Sequence, residues 1–253
     1  MTRHTPSLAL RLAATDAEVA AAQALRYRVF VEELGGQGGD LTDRGAKREA
    51  DCLDRYCEHF LLLDSLQDNA VVGTTRVMTE DGAAQAGRYA SESEFDLSGM
   101  TRSGRRLLEV GRSCLDRNYR GGAAMHRIWQ GLAGLVEERG IEVLFGLASF
   151  PGTDPSTVEQ PLACLHHDHL APEALRPRSL RPVPVDIMKP DRLDRRAAML
   201  ATPALIKAYL RLGGKVGEGA FLDRAFGCID VCMVLDTAVL SERARAIYAE
   251  ERR

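Results

Sequence analysis

Leu8, Leu10 and Leu12 alternate with Ala9 and Arg11 in SLALRLA, a period of two that predicts a strand. The following run, TDAEVAAAQALRYRVFVEELGG, changes period. Thr15 and Glu18 have capping-box spacing, and Val19, Ala22, Val29 and Phe30 share one helical face, so a helix is predicted up to Gly35 and Gly36. Residues 37–50 are polar and predict an exposed loop with no core residue of its own. EHFLLLD (58–64) and AVVGTTRVMT (70–79) predict two strands of a hairpin, and RRLLEVGRSCLD (105–116) a further strand. Gly121 and Gly122 then open an amphipathic helix with Met125, Ile128, Trp129, Leu132, Leu135 and Val136 on one face, ended by Gly140. IEVLFGLASF (141–150) is continuously apolar, as a strand buried on both faces would be. Thr202 and Pro203 predict the N-cap and first turn of a helix closed by Gly213 and Gly214; CIDVCMVLD (228–236) predicts a last strand before a charged C-terminal helix. The sum is an α/β chain with a mixed central sheet flanked by helices.

Composition narrows the class. The 253 residues carry 33 Lys+Arg against 36 Asp+Glu, a net charge of −3, with 45% hydrophobic positions. That is globular composition, and it speaks against a nucleic-acid binder. The six cysteines form no C-x-x-C pair, which disfavours a zinc ribbon or a thioredoxin-type site. The N-terminus lacks a signal-peptide stretch, and the longest uncharged run, 143–153, is far short of the ~20 residues of a membrane helix. A cytoplasmic protein with reduced thiols is expected, with peripheral contact at the inner membrane left open. No repeat or sharp composition shift is present, so one domain over 1–253 is expected, with a C-terminal extension from about 155.

Local chemistry is concentrated at the strand–glycine–helix unit 105–150. Backbone N–H groups at a helix start, approached through Gly121 and Gly122 and flanked by Arg117 and Arg120, suit a phosphate; a plain tight turn suits the same residues. No Walker A loop or G-x-G-x-x-G run is present, which leaves a phosphate-bearing ligand at a strand–helix turn, an arrangement that suits the pantetheine phosphate of coenzyme A or of an acyl carrier protein. From Thr101 to Arg127 seven arginines face only Glu109 and Asp116, a basic stretch fitted to an acidic protein partner, or simply a solvated face. His166, His167 and His169 could chelate a metal, but Leu165 and Leu170 around them read as a helix end.

The segments RYRVFVEELG (26–35), DCLDRYCEHFLLLD (51–64), VVGTTRVM (71–78), LLEVGRSCLDRNYRGG (107–122), LFGLASFPGTDP (144–155), LHHDHLAPEALRPR (165–178) and the run 203–235 together resemble the L-ornithine N(alpha)-acyltransferases of ornithine-lipid synthesis. They span nearly the whole chain in one order. The resemblance implies a GNAT-like acyltransferase fold related to acyl-homoserine-lactone synthases, through Arg26/Arg28–Phe30, Asp51 and Asp54, Arg76, and Glu109-x-x-Arg112. The phosphate loop departs from the usual Q/R-x-x-G-x-G/A pattern, with Tyr119 in the first place and Gly122 and Ala124 after it.

By that resemblance the α-amine of L-ornithine attacks the thioester of a 3-hydroxyacyl carrier protein, with no cofactor and no metal. Glu109, a carboxylate inside an apolar strand, is the first candidate for catalysis; an ion pair with Arg28 or Arg76 is the competing account. A contact with Arg112 would need a bulge, which the fold resemblance implies. His59 is a second candidate, as a base acting through water. Asp51, Asp54 and Glu33 are candidates for holding the amino acid, and Arg28, Arg76 and Arg112 for its carboxylate. Arg117, Arg120, Gly121 and Gly122 are candidates for the donor's phosphate. The alternatives are an acyl-homoserine-lactone synthase-like enzyme and a non-catalytic acyl-carrier-binding module.

Overall fold

The computed structural model describes residues 6–120, 122–183 and 188–240; Gly121 and the expected C-terminal helix after residue 240 lie outside them. The strands are β1 (Leu8–Leu12), β2 (Glu58–Asp64), β3 (Ala70–Thr79), β4 (Phe95–Asp96), β5 (Leu107–Leu115), β6 (Val143–Pro151), β7 (Arg178–Ser179), β8 (Lys215–Val216), β9 (Phe221–Asp223) and β10 (Cys228–Asp236). The α-helices are α1 (Asp16–Arg26), α2 (Glu80–Ala86), α3 (Ser98–Thr101), α4 (Gly122–Arg139), α5 (Glu159–His169), α6 (Arg195–Ala201) and α7 (Ala204–Arg211). They fall into two compact units, one of residues 6–86 and 110–139, the other of 87–109 and 140–240. Residue 155 lies inside the second unit.

In the first unit β1 pairs antiparallel with β2 from Leu8↔Asp64 to Leu12↔Phe60. The expected hairpin is present: β2 pairs antiparallel with β3 from Glu58↔Val77 to Asp64↔Ala70, and β5 neighbours β3. Alternation along β2 gives each face its own partner. Leu61 and Leu63 pack against Ala22 of α1, while Phe60 lies near Gly131 of α4. Leu25 and Val29 pack on Cys114 of β5. α4 ends where Gly140 takes φ +61°, a left-handed conformation that glycine adopts without strain.

In the second unit β5 begins parallel to β6, Leu107↔Val143 to Glu109↔Phe145, and β6 pairs antiparallel with β10 along its whole length. β8 and β9 pair antiparallel with β10, and β4 pairs with β7. The parallel and antiparallel pairs together make the expected mixed sheet. Val143, Leu144 and Phe145 are all buried, as a strand covered on both faces requires.

Three expectations change. The helix opened by Thr15 does not continue to Gly35 as one α-helix: α1 stops at Arg26 and a π-helix covers Tyr27–Glu33 before Gly35 turns at φ +76°. Tyr27, Val29 and Val31 are buried there at a spacing of two, which a 3.6-residue period does not produce. Thr202 does not cap α7. Its hydroxyl donates to the Ala198 carbonyl (2.8 Å) at the end of α6, and Pro203 takes the cap position. The loop 37–50 does own a core residue, Glu49, which is fully buried.

Candidate functional site

Three guanidinium groups and three carboxylates meet in the first unit. Arg26, in the last turn of α1, is fully buried. Its Nη1 and Nη2 donate to Asp54 Oδ1 and Oδ2 at 2.9 and 2.8 Å, a bidentate fork, and its Nε to Glu49 Oε2 at 2.5 Å. Arg76 of β3 donates to Asp51 Oδ1 (2.6 Å) and Asp54 Oδ1 (2.7 Å). Arg112 of β5 donates to Asp51 Oδ2 (2.9 Å), and its Nε lies 3.4 Å from Glu49 Oε1. The charges balance, so the cluster can stay ionised while buried. Burial alone would raise the carboxyls of Asp51 and Asp54. The arginines outweigh it and hold both below the ordinary carboxylate range, Asp54 the more strongly. Burial would likewise lower Arg76, and Asp51 with its neighbours keeps it raised.

His59 of β2 joins this cluster. Its Nε2 lies 3.1 Å from the Asp54 carbonyl oxygen, which fixes the proton on Nε2 and leaves Nδ1 a bare acceptor with no hydrogen-bond partner. Only 2% of the residue is exposed, and burial lowers its pKa, with Arg26 and Arg76 adding to that and Asp54 opposing. A depressed histidine pKa stabilises the fold above the unfolded value and loses that contribution as pH falls. The unfolding free energy is therefore expected to decline below about pH 6.5 by up to ~1.4 kcal/mol per unit from this residue. His169 is also lowered by burial and adds its own share. The His59 part is the difference between wild type and His59→Gln in urea titrations from pH 7 to pH 5; identical slopes would refute it.

The structure thus assembles Asp51, Asp54, Arg76, Arg112 and His59, and leaves out Arg28 and Glu33. Arg28 is exposed. Arg26 takes the place expected of it because it follows Ala22 and precedes Val29 at helical spacing, whereas two residues on the chain has turned away from that face. Glu33 pairs with Arg120 at the surface through two bonds of 2.5 and 2.7 Å. Arg117 is exposed, and Gly122 is the first residue of α4. The basic stretch is in part internally neutralised. Arg105 forks onto Asp236 (2.8 and 2.6 Å), Arg112 joins the buried cluster and Arg120 takes Glu33.

Glu109 belongs to the second unit and is 4% exposed. Its partners lie within that unit. Its carboxylate accepts from the Ala90 N–H at Oε2 (2.8 Å), and at Oε1 from the Ser91 N–H (2.6 Å) and the Ser91 hydroxyl. Among the described residues no cation bridges it. Three donors occupy three of about four lone-pair positions. One acceptor position is left for an incoming N–H. The 3₁₀ turn Ala90–Ser93 that supplies these donors has no sequence signal, since backbone donors leave none.

Thiols and imidazoles fill other places. Cys114 is buried and its thiol is pushed up to about 12 by burial. Burial also raises Cys164, Cys228 and Cys232. Asp223, Cys228 and Asp230 place ligand atoms within 4.8 Å of one another, brought together by the β9–β10 register. Burial raises both the Cys228 thiol and the Asp230 carboxyl above their ordinary values. His166, His167 and His169 form the last turn of α5, and His167 Nε2 lies 2.8 Å from the Met188 carbonyl oxygen. That is a helix end, as their flanking leucines indicate.

The acetyltransferase (GNAT) domain pattern matches residues 25–130. An L-ornithine N(alpha)-acyltransferase of Rhodobacter capsulatus is 50% identical over 246 residues, covering 96% of this chain and 95% of that one. Proteins of the same name from Rhizobium meliloti (39%, covering 97% and 85%) and Brucella abortus (36%, covering 97% and 90%) also match. Among solved structures, a CoA-dependent acyl-homoserine lactone synthase, BjaI, has a TM-score of 0.55 at 12% identity, covering 96% of this chain and 88% of that one. FeeM, an N-acyl amino acid synthase from uncultured soil microbes, has 0.52 at 13%, covering 93% of each. At such identities these two share the fold. That fold is the GNAT-like acyltransferase fold, with its mixed sheet and flanking helices. Among the described residues no helix is long and apolar enough to cross a membrane.

Proposed function

The chain belongs to the L-ornithine N(alpha)-acyltransferase family, and on that premise we propose that it moves a 3-hydroxyacyl chain from acyl carrier protein to the α-amine of L-ornithine, giving a lyso-ornithine lipid. The amine nitrogen attacks the thioester carbon directly, the C–S bond breaks, and the carrier leaves as its thiol with the proton that the amine gives up. No resident cofactor enters this scheme. The observation that carries the reading is Glu109: a buried carboxylate, met by Ala90 and Ser91 and by no cation among the described residues, with one acceptor position open. In the proposal it accepts an N–H of the attacking amine and then its proton.

Amine chemistry supports the choice of nitrogen. An α-amine titrates near 8 and a lysine-like δ-amine near 10.4, so at neutral pH the α-amine is neutral about 250 times more often. Asp51, Asp54 and Glu33 have arginine partners, which leaves Glu109 as the carboxylate of that set free to meet the substrate. Exposed Arg117, ahead of α4, is assigned to the carrier's phosphate. The product is an amphiphile, which fits a cytoplasmic protein with peripheral membrane contact.

The test is an incubation of the protein with L-ornithine and 3-hydroxyacyl carrier protein. Free thiol and N(alpha)-acyl ornithine are expected in equal amounts. Folded protein that yields neither, or that acylates S-adenosylmethionine instead, would refute the proposal.

A further inference from the structure

Arg112 sits in the middle of a β-strand with φ +51°. For a side chain of its size this left-handed conformation is an outlier, costly beside the extended alternative and ordinarily left to glycine. Bulges with a left-handed first residue usually place glycine there. The preceding residue, Gly111, has an ordinary backbone, so the strain falls on the arginine although a glycine stands beside it.

What holds the conformation is in the same unit. Asp51 Oδ2 accepts from Nη2 (2.9 Å), and Glu49 Oε1 lies 3.4 Å from Nε. Neither carboxylate is free to follow if Arg112 relaxes. Glu49 is fully buried, accepts from Arg26 Nε and takes the Gly39 N–H at 3.0 Å; Asp51 is held by Arg76 and caps the Leu53 N–H at 3.0 Å. The guanidinium is thus fixed at its far end by groups themselves fixed from behind, and the backbone must bend to keep it there. An outlier that the surroundings over-determine is a mark of a functional position.

We propose that Glu49 and Asp51 form a clamp that holds Arg112 in its left-handed conformation, and that Arg112 contributes to the reaction by setting the course of β5, not by touching the substrate. Glu49 and Arg112 are then positioning residues. The kinetic part of this inference rests on the acyltransferase reading; the conformational part does not.

Glycine separates the two roles, because it adopts the bend unaided but has no guanidinium. Arg112→Gly is expected to retain about tenfold more kcat than Arg112→Ala, with the KM for ornithine raised in neither. Glu49→Gln is expected to lower kcat in the wild-type chain and to have no further effect on kcat in the Arg112→Gly background. Equal losses for glycine and alanine, or a KM for ornithine raised alike in both, would overturn the proposal in favour of a substrate contact. A denaturation midpoint keeps the test independent of turnover: Arg112→Gly should be at least as stable as Arg112→Ala, and the reverse order would overturn the clamp. A wild-type chain without turnover would count against the acyltransferase reading alone, and the midpoints would still decide the clamp.

Discussion

Glu109→Gln is expected to lower kcat by about 10²- to 10⁴-fold, the usual range for loss of a positioned proton acceptor. The amide keeps the shape of the side chain but can no longer take a proton. It also turns a donor toward a pocket built of donors. Whichever way it is placed, its NH₂ faces either the Ala90 N–H or the Ser91 pair. The fold is expected to weaken by about 1–3 kcal/mol from that mismatch, so kinetics belong well below the unfolding midpoint. Glu109→Asp keeps the charge but withdraws it by one methylene, and is expected to fall between wild type and Glu109→Gln. Steady-state release of carrier thiol, with near-ultraviolet circular dichroism on the same samples, checks both. A kcat within threefold of wild type would remove Glu109 from the chemistry.

The second large effect concerns stability. Arg26→Met is expected to destabilise the protein by about 3–5 kcal/mol, because it leaves Glu49 and Asp54 buried with part of their countercharge gone. Burial opposes the charge on Arg26 itself, yet Asp54 and Glu49 together keep it ionised. Arg28→Met, two residues away and exposed, is expected to shift stability by no more than about 0.5 kcal/mol. Urea midpoints and slopes of the two variants decide the matter. Equal effects would mean that the buried cluster contributes nothing specific.

Much of the architecture is legible from period alone. The β2–β3 hairpin, α4 with its glycine stop, and the apolar β6 all follow from hydrophobic spacing and turn residues, which act locally. The π-helix at Tyr27–Glu33 is not legible, because its widened turns alter the face on which each residue falls without changing composition. Arg28, two residues past buried Arg26, falls on the opposite side of the helix and is exposed. The site divides along similar lines. Asp51, Asp54, Arg76 and Arg112 stand out as charges beside apolar strands, and they do meet. Glu49 is hidden among the polar residues of 37–50, where one buried acid looks like any exposed one. Ala90 and Ser91 act on Glu109 mainly through backbone N–H groups that every sequence has. α6 lies in a Pro- and Arg-rich stretch without a clear apolar period, and its Asp194 cap, which accepts from the Ala197 N–H at 2.9 Å, was the signal to read.

If the donor is the acyl thioester proposed above, the acyl group can be lost to the protein's own sulfur. Exchange onto a cysteine proceeds through the thiolate, and burial withholds that form from Cys114, Cys164, Cys228 and Cys232. With its thiol pushed up to about 12, Cys114 is ionised in about one molecule in 10⁵ at neutral pH, although it lies in the same strand as Glu109. The apolar packing that places α1 against β5 therefore also holds the Cys114 sulfur in its unreactive form.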